Sequence, residues 1–424
     1  MHFKKSTIFN FILPLILLVV SSGIIFYNFP TIPQNIAIDE AEFILLSKHL
    51  ENSPYTPYSQ LATGHATMYF YMLLGAIKLF GENAFSVRII SAVFGVINTL
   101  IFYQLMKLVF EERKKLSADI KVFMPFLIAF AFTTMRWYFN FARFGFEGTT
   151  VLFFELSAIL MLFLYRKHKK LFLLLLTGFF SGLAYNSYTP GRLFFIVPLI
   201  FIIYEFESMK QLVRNGAKPL LNFLIPFLII ILPINLYFTQ YDDNRIYELF
   251  YLQNEQLSLQ EKADFTWQNV TRVAGMFFIQ GDLNGRHNFP GKPMLNPIQT
   301  LLFIVGFLVC LKNWRKYYNS FFLLFFIIGI IPPLLTYPWE NPNSLRAVTV
   351  LPSLAYFIGQ GIMQFFRIPL KKSLCLIIFF MILTVSAFYE IRTYFVYQKA
   401  VFETAFEIAP NKLIEHIEGK SLVK

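Results

Sequence analysis

The sequence predicts an all-helical protein that crosses a membrane many times, and three observations predict it. Of 424 residues, 56% are apolar and 19% aromatic, with 53 Phe, while only 15% are charged. Globular chains carry about a quarter charged residues, so most side chains here face something other than water. Apolar runs of near-spanning length recur along the whole chain, and Lys and Arg concentrate in alternate connections between them. The same composition excludes a disordered chain. A net charge of +12 would point to nucleic acid in a soluble protein, but here the charge belongs to one membrane face. Cys310 and Cys375 lie inside apolar runs and read as packing residues, neither a disulfide nor a metal pair.

Taken in order, the runs cover about 8–28, 85–110, 121–139, 148–165, 171–186, 193–205, 219–239, 297–312, 320–338, 346–366 and 373–394. A bilayer core of about 30 Å needs about 20 helical residues, so several runs span it only with their flanking Tyr, Trp and Ser. The first follows Lys4 and Lys5, is over-long for a secretory h-region and lacks a small-x-small cleavage site, so it reads as an uncleaved anchor. One further run, 64–81, is ambiguous. If it lies on the outer surface, every short basic connection falls inside: Lys4 and Lys5, then 107–121, 166–170, 210–218, 312–316 and 367–372, which together hold 20 bases, accompanied by only five acids, Glu111, Glu112, Asp119, Glu205 and Glu207. If it crosses, all later basic connections face outward, against the rule that Lys and Arg stay cytoplasmic. Eleven spans are therefore expected, with the N-terminus inside and the C-terminus outside. They form a single membrane domain over 1–424, with external segments at 29–84 and 240–296 and an external tail at 395–424.

The first external loop carries Asp39, Glu40 and Glu42, then Leu45, Leu46 and Leu50 at helical spacing, which predicts a short amphipathic helix at the interface. Asp39 near its start is, taken alone, best read as an acidic cap favoured by the helix dipole. The run 64–81, with Tyr69, Phe70 and Tyr71, reads as an interfacial anchor before Arg88. Further external turns hold Arg143 and Glu147 in "NFARFGFEG", Tyr188 and Arg192 in "NSYTPGR", Asp282, Arg286 and His287 in "GDLNGRHNFPG", and Arg346 in "WENPNSLR". Any single arginine here is better read as snorkelling. Their shared depth is the stronger observation, because converging guanidiniums match phosphate oxygens. Gly178, Gly182, Gly329, Gly359 and Gly361 either leave a groove for a lipid tail or serve ordinary helix packing.

The order of "DEAEF", "YFYMLLGAIKLFGENAFSVRIISAVFGV", "RFGFEG", "GLAYNSYTPGR", "GDLNGRHNFPGKPMLNPIQ" and "NSLRAVTVLP" resembles the GT-C superfamily of membrane glycosyltransferases. Within it the chain is similar to the protein O-mannosyltransferase and aminoarabinose transferase group, glycosyltransferase family 39 and its relatives. The likeness runs from about residue 35 to 366 and lies in the order of the motifs. It implies a GT-C fold and transfer of a sugar from a polyprenyl-phosphate donor at the outer face. It also implies Asp39, with Glu40 beside it, as the catalytic base position and Glu147 as the second acidic position. Arg192, Arg286 and Arg346 would hold donor phosphate. Arg88, Arg143, Tyr188, Asp282 and His287 join these as substrate-binding candidates. His65 does so where many relatives carry a basic residue followed by Pro-Pro-Leu, and this chain instead reads His65, Ala66, Thr67 and Met68.

Phosphate is already a good leaving group, so such a reaction needs cationic stabilisation and one ionised carboxylate more than a carboxyl pair. Attack opposite the phosphate would invert the anomeric centre. The expected partners are the lipid-linked donor, a protein, lipid or glycan acceptor, and membrane lipids, with no nucleic acid. No cofactor is expected; a divalent metal stays open where acids of two loops meet, but no spaced ligand motif indicates one. Phe, Ile, Lys and Asn usage suits an AT-rich prokaryote, which places the protein in a prokaryotic inner membrane with its site on the extracytoplasmic side. The alternative is a transporter or flippase for a lipid-linked or anionic solute, for which Glu155, Pro226 and Pro233 are weak hints of midplane polarity. A polymerase or ligase of lipid-linked glycans is a third reading.

Overall fold

In lipid every backbone N–H and C=O must find its partner within its own segment, so long apolar runs fold as helices. The computed structural model describes residues 2–29, 31–205 and 217–421; Pro30 and the connection holding Glu207, Lys210 and Arg214 lie outside the described residues. The helices are α1 His2–Phe26, α2 Ile38–Glu51, α3 Met68–Phe80, α4 Ala84–Glu111, α5 Ala118–Thr134, α6 Arg136–Ala142, α7 Gly148–His168, α8 Phe172–Tyr185 and α9 Ile196–Tyr204. They continue as α10 Lys218–Tyr237, α11 Asn244–Leu249, α12 Leu259–Met276, α13 Pro297–Lys312, α14 Tyr317–Leu334, α15 Leu351–Phe365, α16 Lys372–Arg392, α17 Lys399–Ala405 and α18 Leu413–Ser421. A two-residue ribbon, Tyr58–Ser59 (β1) against His65–Ala66 (β2), interrupts the helical architecture. Among the described residues seven helices are long and apolar enough to cross a membrane, or eight if α5 and α6 form one broken span. Shorter apolar helices lie at Met68–Phe80, Phe172–Tyr185, Thr189–Tyr204 and Pro297–Lys312.

Two boundaries differ from expectation. The run 121–139 breaks at Met135, and α6 turns 62° away from α5. The cause is Arg136, which cannot face lipid and instead bonds Glu390, Asn288 and the carbonyl of Pro293. The run 373–394 does not stop at 394: its helix continues through a π-helical stretch, Thr393–Gln398, to Ala405. The first loop folds as expected into α2, with Asp39 and Glu40 in its first turn. α3 packs beside it through Tyr69, Phe70 and Leu73, and two surface pairs, Lys48 with Glu82 at 2.7 Å and Lys78 with Glu51 at 2.9 Å, join the two.

Polar side-chain contacts gather at two ends of the bundle. One end joins the first loop to segments 143–147, 186–192, 240–288 and 336–346, as in Glu40 with Arg88, Asp39 with Arg286 and Arg192 with Asp243. The other joins the α4–α5, α7–α8, α13–α14 and α15–α16 connections, as in Lys167 with Glu111 and Arg113 with Gln360. Between them the core is aromatic, with stacked, tilted and edge contacts running from Phe277 through Phe303 to Phe326 and Phe357.

Lipid tails are as apolar as Leu, so helices associate through close packing more than through water exclusion. The glycines follow that rule: a Cβ on Gly306 would overlap the Phe357 carbonyl, one on Gly361 that of Leu302, and one on Gly178 that of Phe223. Gly182, Gly329 and Gly359 likewise meet neighbouring helices, so these positions are packing contacts and not the walls of a groove. Gly306→Val therefore separates α13 from α15. Overpacking of this kind costs about 1–3 kcal/mol, expected as a lower melting temperature of the detergent-solubilised protein, while Gly75→Ala, with open space around its position, leaves it unchanged.

Candidate active site

The frame of the site is a buried ion pair. Glu40 and Arg88 are both fully buried. Glu40 accepts from Arg88 on both oxygens at 2.8 Å, from the backbone N–H of Gly145 at 2.9 Å and from that of Ala37 at 3.0 Å. Arg88 also donates to the carbonyls of Pro33 and Asn35 at 2.7 Å. Gly145 is small by necessity here, because a Cβ would stand 2.8 Å from the Val87 carbonyl and 3.0 Å from Glu40. Arg143 spends its donors on the carbonyls of Ile24, Ile25, Tyr27 and Ile32 and on the Tyr394 hydroxyl. Three expected site residues thus bond within the protein. Glu40 has no free acceptor for a substrate proton, and Arg88 and Arg143 have backbone partners where phosphate was expected; all three hold the first loop to the bundle.

Asp39, next to Glu40 but about 100° around the helix, turns outward, with its side chain 39% exposed and bonded to Arg286 at 2.7 Å. Arg286 is set by its neighbours: Asn140 bonds its carbonyl and Asn284 its backbone N–H. Asp282 also bonds within the protein: its oxygens are filled by the N–H and hydroxyl of Ser344 at 2.8 Å, by His287 at 3.0 Å and by the N–H of Asn284 at 2.9 Å. Burial alone would raise its carboxyl, but His287 and these N–H donors hold it below the usual range. Asp282 and His287 thus shape the loop that presents Arg286.

A second cluster forms around His65. Arg245 donates to its Nε2 at 2.8 Å, and since guanidinium only donates, Nδ1 carries the proton given to Glu147 Oε1 at 2.7 Å. The other oxygen of Glu147 is buried without a hydrogen-bond partner. Tyr188 is buried beside them, with Arg245 5.9 Å from its ring centre. Nearby, Asp243 receives Tyr58 at 2.7 Å and Arg192 at 2.5 Å, which fastens β1 to the start of α11. Arg346 bonds Glu340 at 3.1 Å, while its Nη1 and the Nε of Arg192 are buried with no partner. A cavity of about 640 Å³ opens here, with Arg192 and Asp243 at one side and Leu193, Phe195, Phe238 and Ile246 as apolar walls. A small adjoining cavity shares Thr189, Phe250 and Pro332 with it and is lined by Tyr188, Arg245 and Arg346. Neither includes Asp39, which pairs with Arg286 at the same end of the bundle.

The sequence reading missed Arg245, Asp243 and Tyr58. The signal was the charged run Asp242, Asp243, Asn244 and Arg245 just past the 219–239 span. Among the described residues no three His, Cys, Asp or Glu side chains gather as a possible metal set.

Residues 64–237 match the family described as dolichyl-phosphate-mannose-protein mannosyltransferase. No curated protein sequence matches the chain. Among solved structures it is similar to the Archaeoglobus fulgidus oligosaccharyltransferase tethered with an acceptor peptide, at a TM-score of 0.52 and 14% identity over 94% of this chain and 55% of that one. It is similar also to ArnT from Cupriavidus metallidurans bound to undecaprenyl phosphate, at 0.51 and 10% over 97% of this chain and 77% of that one. A third likeness, to the S. cerevisiae protein O-mannosyltransferase Pmt1-Pmt2 complex bound to the sugar donor, has a TM-score of 0.42 and 17% identity and covers 56% of this chain and 35% of that one. The chain thus spans about half the length of the archaeal enzyme and a third of the yeast one. Its fold is that of the GT-C glycosyltransferases, as its motifs imply. It is a multi-pass helical membrane chain whose segment 64–237 matches the mannosyltransferase family.

Burial, then the Arg245 guanidinium, push the His65 imidazole below its ordinary pKa of 6.5, against the pull of Glu147. An unfolded chain then binds a proton that the folded chain refuses, so this contribution to stability is complete above about 6.5 and is lost as pH falls below it. The melting temperature is expected to drop between pH 7 and 5, and His65→Gln is expected to flatten that drop.

Proposed function

We propose that this chain transfers a sugar from a polyprenyl-phosphate donor to an acceptor hydroxyl at the extracytoplasmic face of a prokaryotic inner membrane, with inversion. The observation that carries the reading is the void beside α11: apolar walls with Arg192 at its side, adjoining the pocket of Arg245 and Arg346, on the same end as Asp39. A polyprenyl-phosphate sugar has the matching division, an apolar chain and a charged phosphodiester head that gains a second charge as the sugar leaves. Unfilled donors on Arg192 and Arg346 are available to phosphate oxygens as charge develops on the leaving group.

In this mechanism Asp39 takes the acceptor proton. Arg286 fixes its direction through the 2.7 Å contact. The His65 bridge holds Arg245 toward the phosphate, with Glu147 setting the tautomer; Glu147 and His65 act as positioning residues and Tyr188 as a wall between Arg245 and Arg346. The eleven-span topology is part of the proposal, with the Asp39 end outside. It is supported by the segregation of contacts, since the five basic connections that the charge rule puts inside meet one another or lie outside the described residues, and the acidic and arginine-bearing turns meet at the other end.

Asp39→Asn is expected to lower transfer from a labelled polyprenyl-phosphate sugar in reconstituted vesicles by about 10²–10⁴-fold, with an unchanged melting temperature. Glu40→Gln is expected to lower the melting temperature instead. Full transfer by Asp39→Asn removes the base, and movement of the intact donor between leaflets with no transfer to an acceptor selects the flippase reading.

Orientation is checked by labelling with an impermeant thiol reagent. The native Cys310 and Cys375 are buried. Cysteine in place of the exposed Asn52 or Glu255 is expected to react from outside intact cells, and in place of Lys114 only after permeabilisation.

A further inference from the structure

At the end of the bundle away from Asp39, a cavity of about 800 Å³ lies between the α4–α5, α13–α14 and α15–α16 connections. Its wall carries Lys114, Lys115, Lys316, Arg367 and Lys372, none of which has an ion-pair partner among the described residues. The one acid on the wall, Glu112, is 3.4 Å from Arg166. Retention of basic residues on one membrane face accounts for the charge. It accounts neither for a cavity nor for donors aimed into it with nothing to bond. Gln360, 5% exposed, lines the cavity, and its Oε1 accepts from Arg113 at 3.2 Å. Because guanidinium only donates, that contact fixes which way the amide faces. Its Nε2 is then buried without a partner, as is the Oγ of Ser117 on the same wall.

We propose that this cavity binds a phosphate-bearing anion, either the headgroup of an anionic phospholipid or a soluble phosphate compound. Arg367 offers a fork to two phosphate oxygens, the lysines supply compact charges around it, and Gln360 Nε2 donates from the floor. Ile120, Val309 and Met363 give the same cavity an apolar margin. The inference does not depend on the catalytic reading.

The test uses the full chain in detergent and in nanodiscs, with bound anion counted by native mass spectrometry. Probes are inorganic pyrophosphate, and nanodiscs of phosphatidylcholine with or without phosphatidylglycerol. The pair Lys316→Ala and Arg367→Ala, and separately Gln360→Glu, are expected to weaken binding about tenfold or more. The control pair Lys170→Ala and Lys312→Ala, basic residues absent from the cavity wall, is expected to change it less than about twofold. Lys114→Ala with Lys115→Ala, on an exposed turn, gives the same reading should a deeper variant not fold. Retained phosphatidylglycerol that pyrophosphate does not displace assigns the lipid source, and saturable pyrophosphate binding assigns the soluble one. Equal weakening by cavity and control pairs, or binding unchanged in the cavity variants, overturns the proposal.

Discussion

The structure depends on the Glu40 and Arg88 pair. Taking two such charges out of water costs several kcal/mol per ion, and their attraction offsets this only when the remaining donors and acceptors are also filled. Here they are: both carboxylate oxygens and the donors of the guanidinium meet protein partners, including the N–H of Gly145 and the carbonyls of Pro33 and Asn35. Three segments distant in the chain, 33–40, α4 and the turn before α7, are thereby tied at one point. An apolar pair of the same volume would fill the space but would leave that N–H and those carbonyls unbonded. The pair is thus a device for register more than for stability. It decides which of two adjacent acids faces inward and so leaves Asp39 facing out.

The helical class and much of the span pattern were legible because lipid imposes a length and a composition on any crossing segment, and apolar runs record both. The amphipathic α2 was legible from its spacing. What escaped were the places where tertiary partners overrule local pattern. The run 121–139 is apolar to its end apart from Arg136, and nothing local states that Glu390, from the last long helix, will receive that charge and turn α6 aside. In the site, Asp39 and Arg286 do meet, and His65 and Glu147 come together. That Glu40, Arg88, Arg143 and Asp282 bond within the protein was not legible, because a sequence shows residue type and depth, but not whether a hydrogen-bonding capacity is already spent. Arg245 was passed over because it sits in a short helix of ordinary polarity.

The two ends of the bundle handle charge differently. At the Asp39 end the acids that border the site have designated cations: Asp39 with Arg286, Asp243 with Arg192, Glu340 with Arg346. At the other end cations outnumber acids, and several line an open cavity. Paired charge is directional and holds loops in place, whereas unpaired charge is a field that attracts counterions. The first suits a site that must set atoms at fixed separations, and the second a site that retains an anion without reacting with it.

The arginines illustrate how to separate frame from site. Arg88, Arg136 and Arg143 are as buried as any residue in the molecule, and each donates to backbone carbonyls as well as to side chains. Such arginines act as cross-links between chain segments, and a phosphate could reach them only by displacing several protein bonds at once. Arg192 and Arg346 are different: each has a single carboxylate partner and one buried nitrogen left over, beside a void. A buried N–H without a partner is unfavourable in the empty protein by about 1–3 kcal/mol, and an arriving anion removes that penalty as it binds. The residual donors therefore favour the bound state over the free one, a property that the fully bonded arginines lack. By this criterion the donors open to an anion at this end lie around α11, and the proposed reaction sets Asp39 beside them as its base.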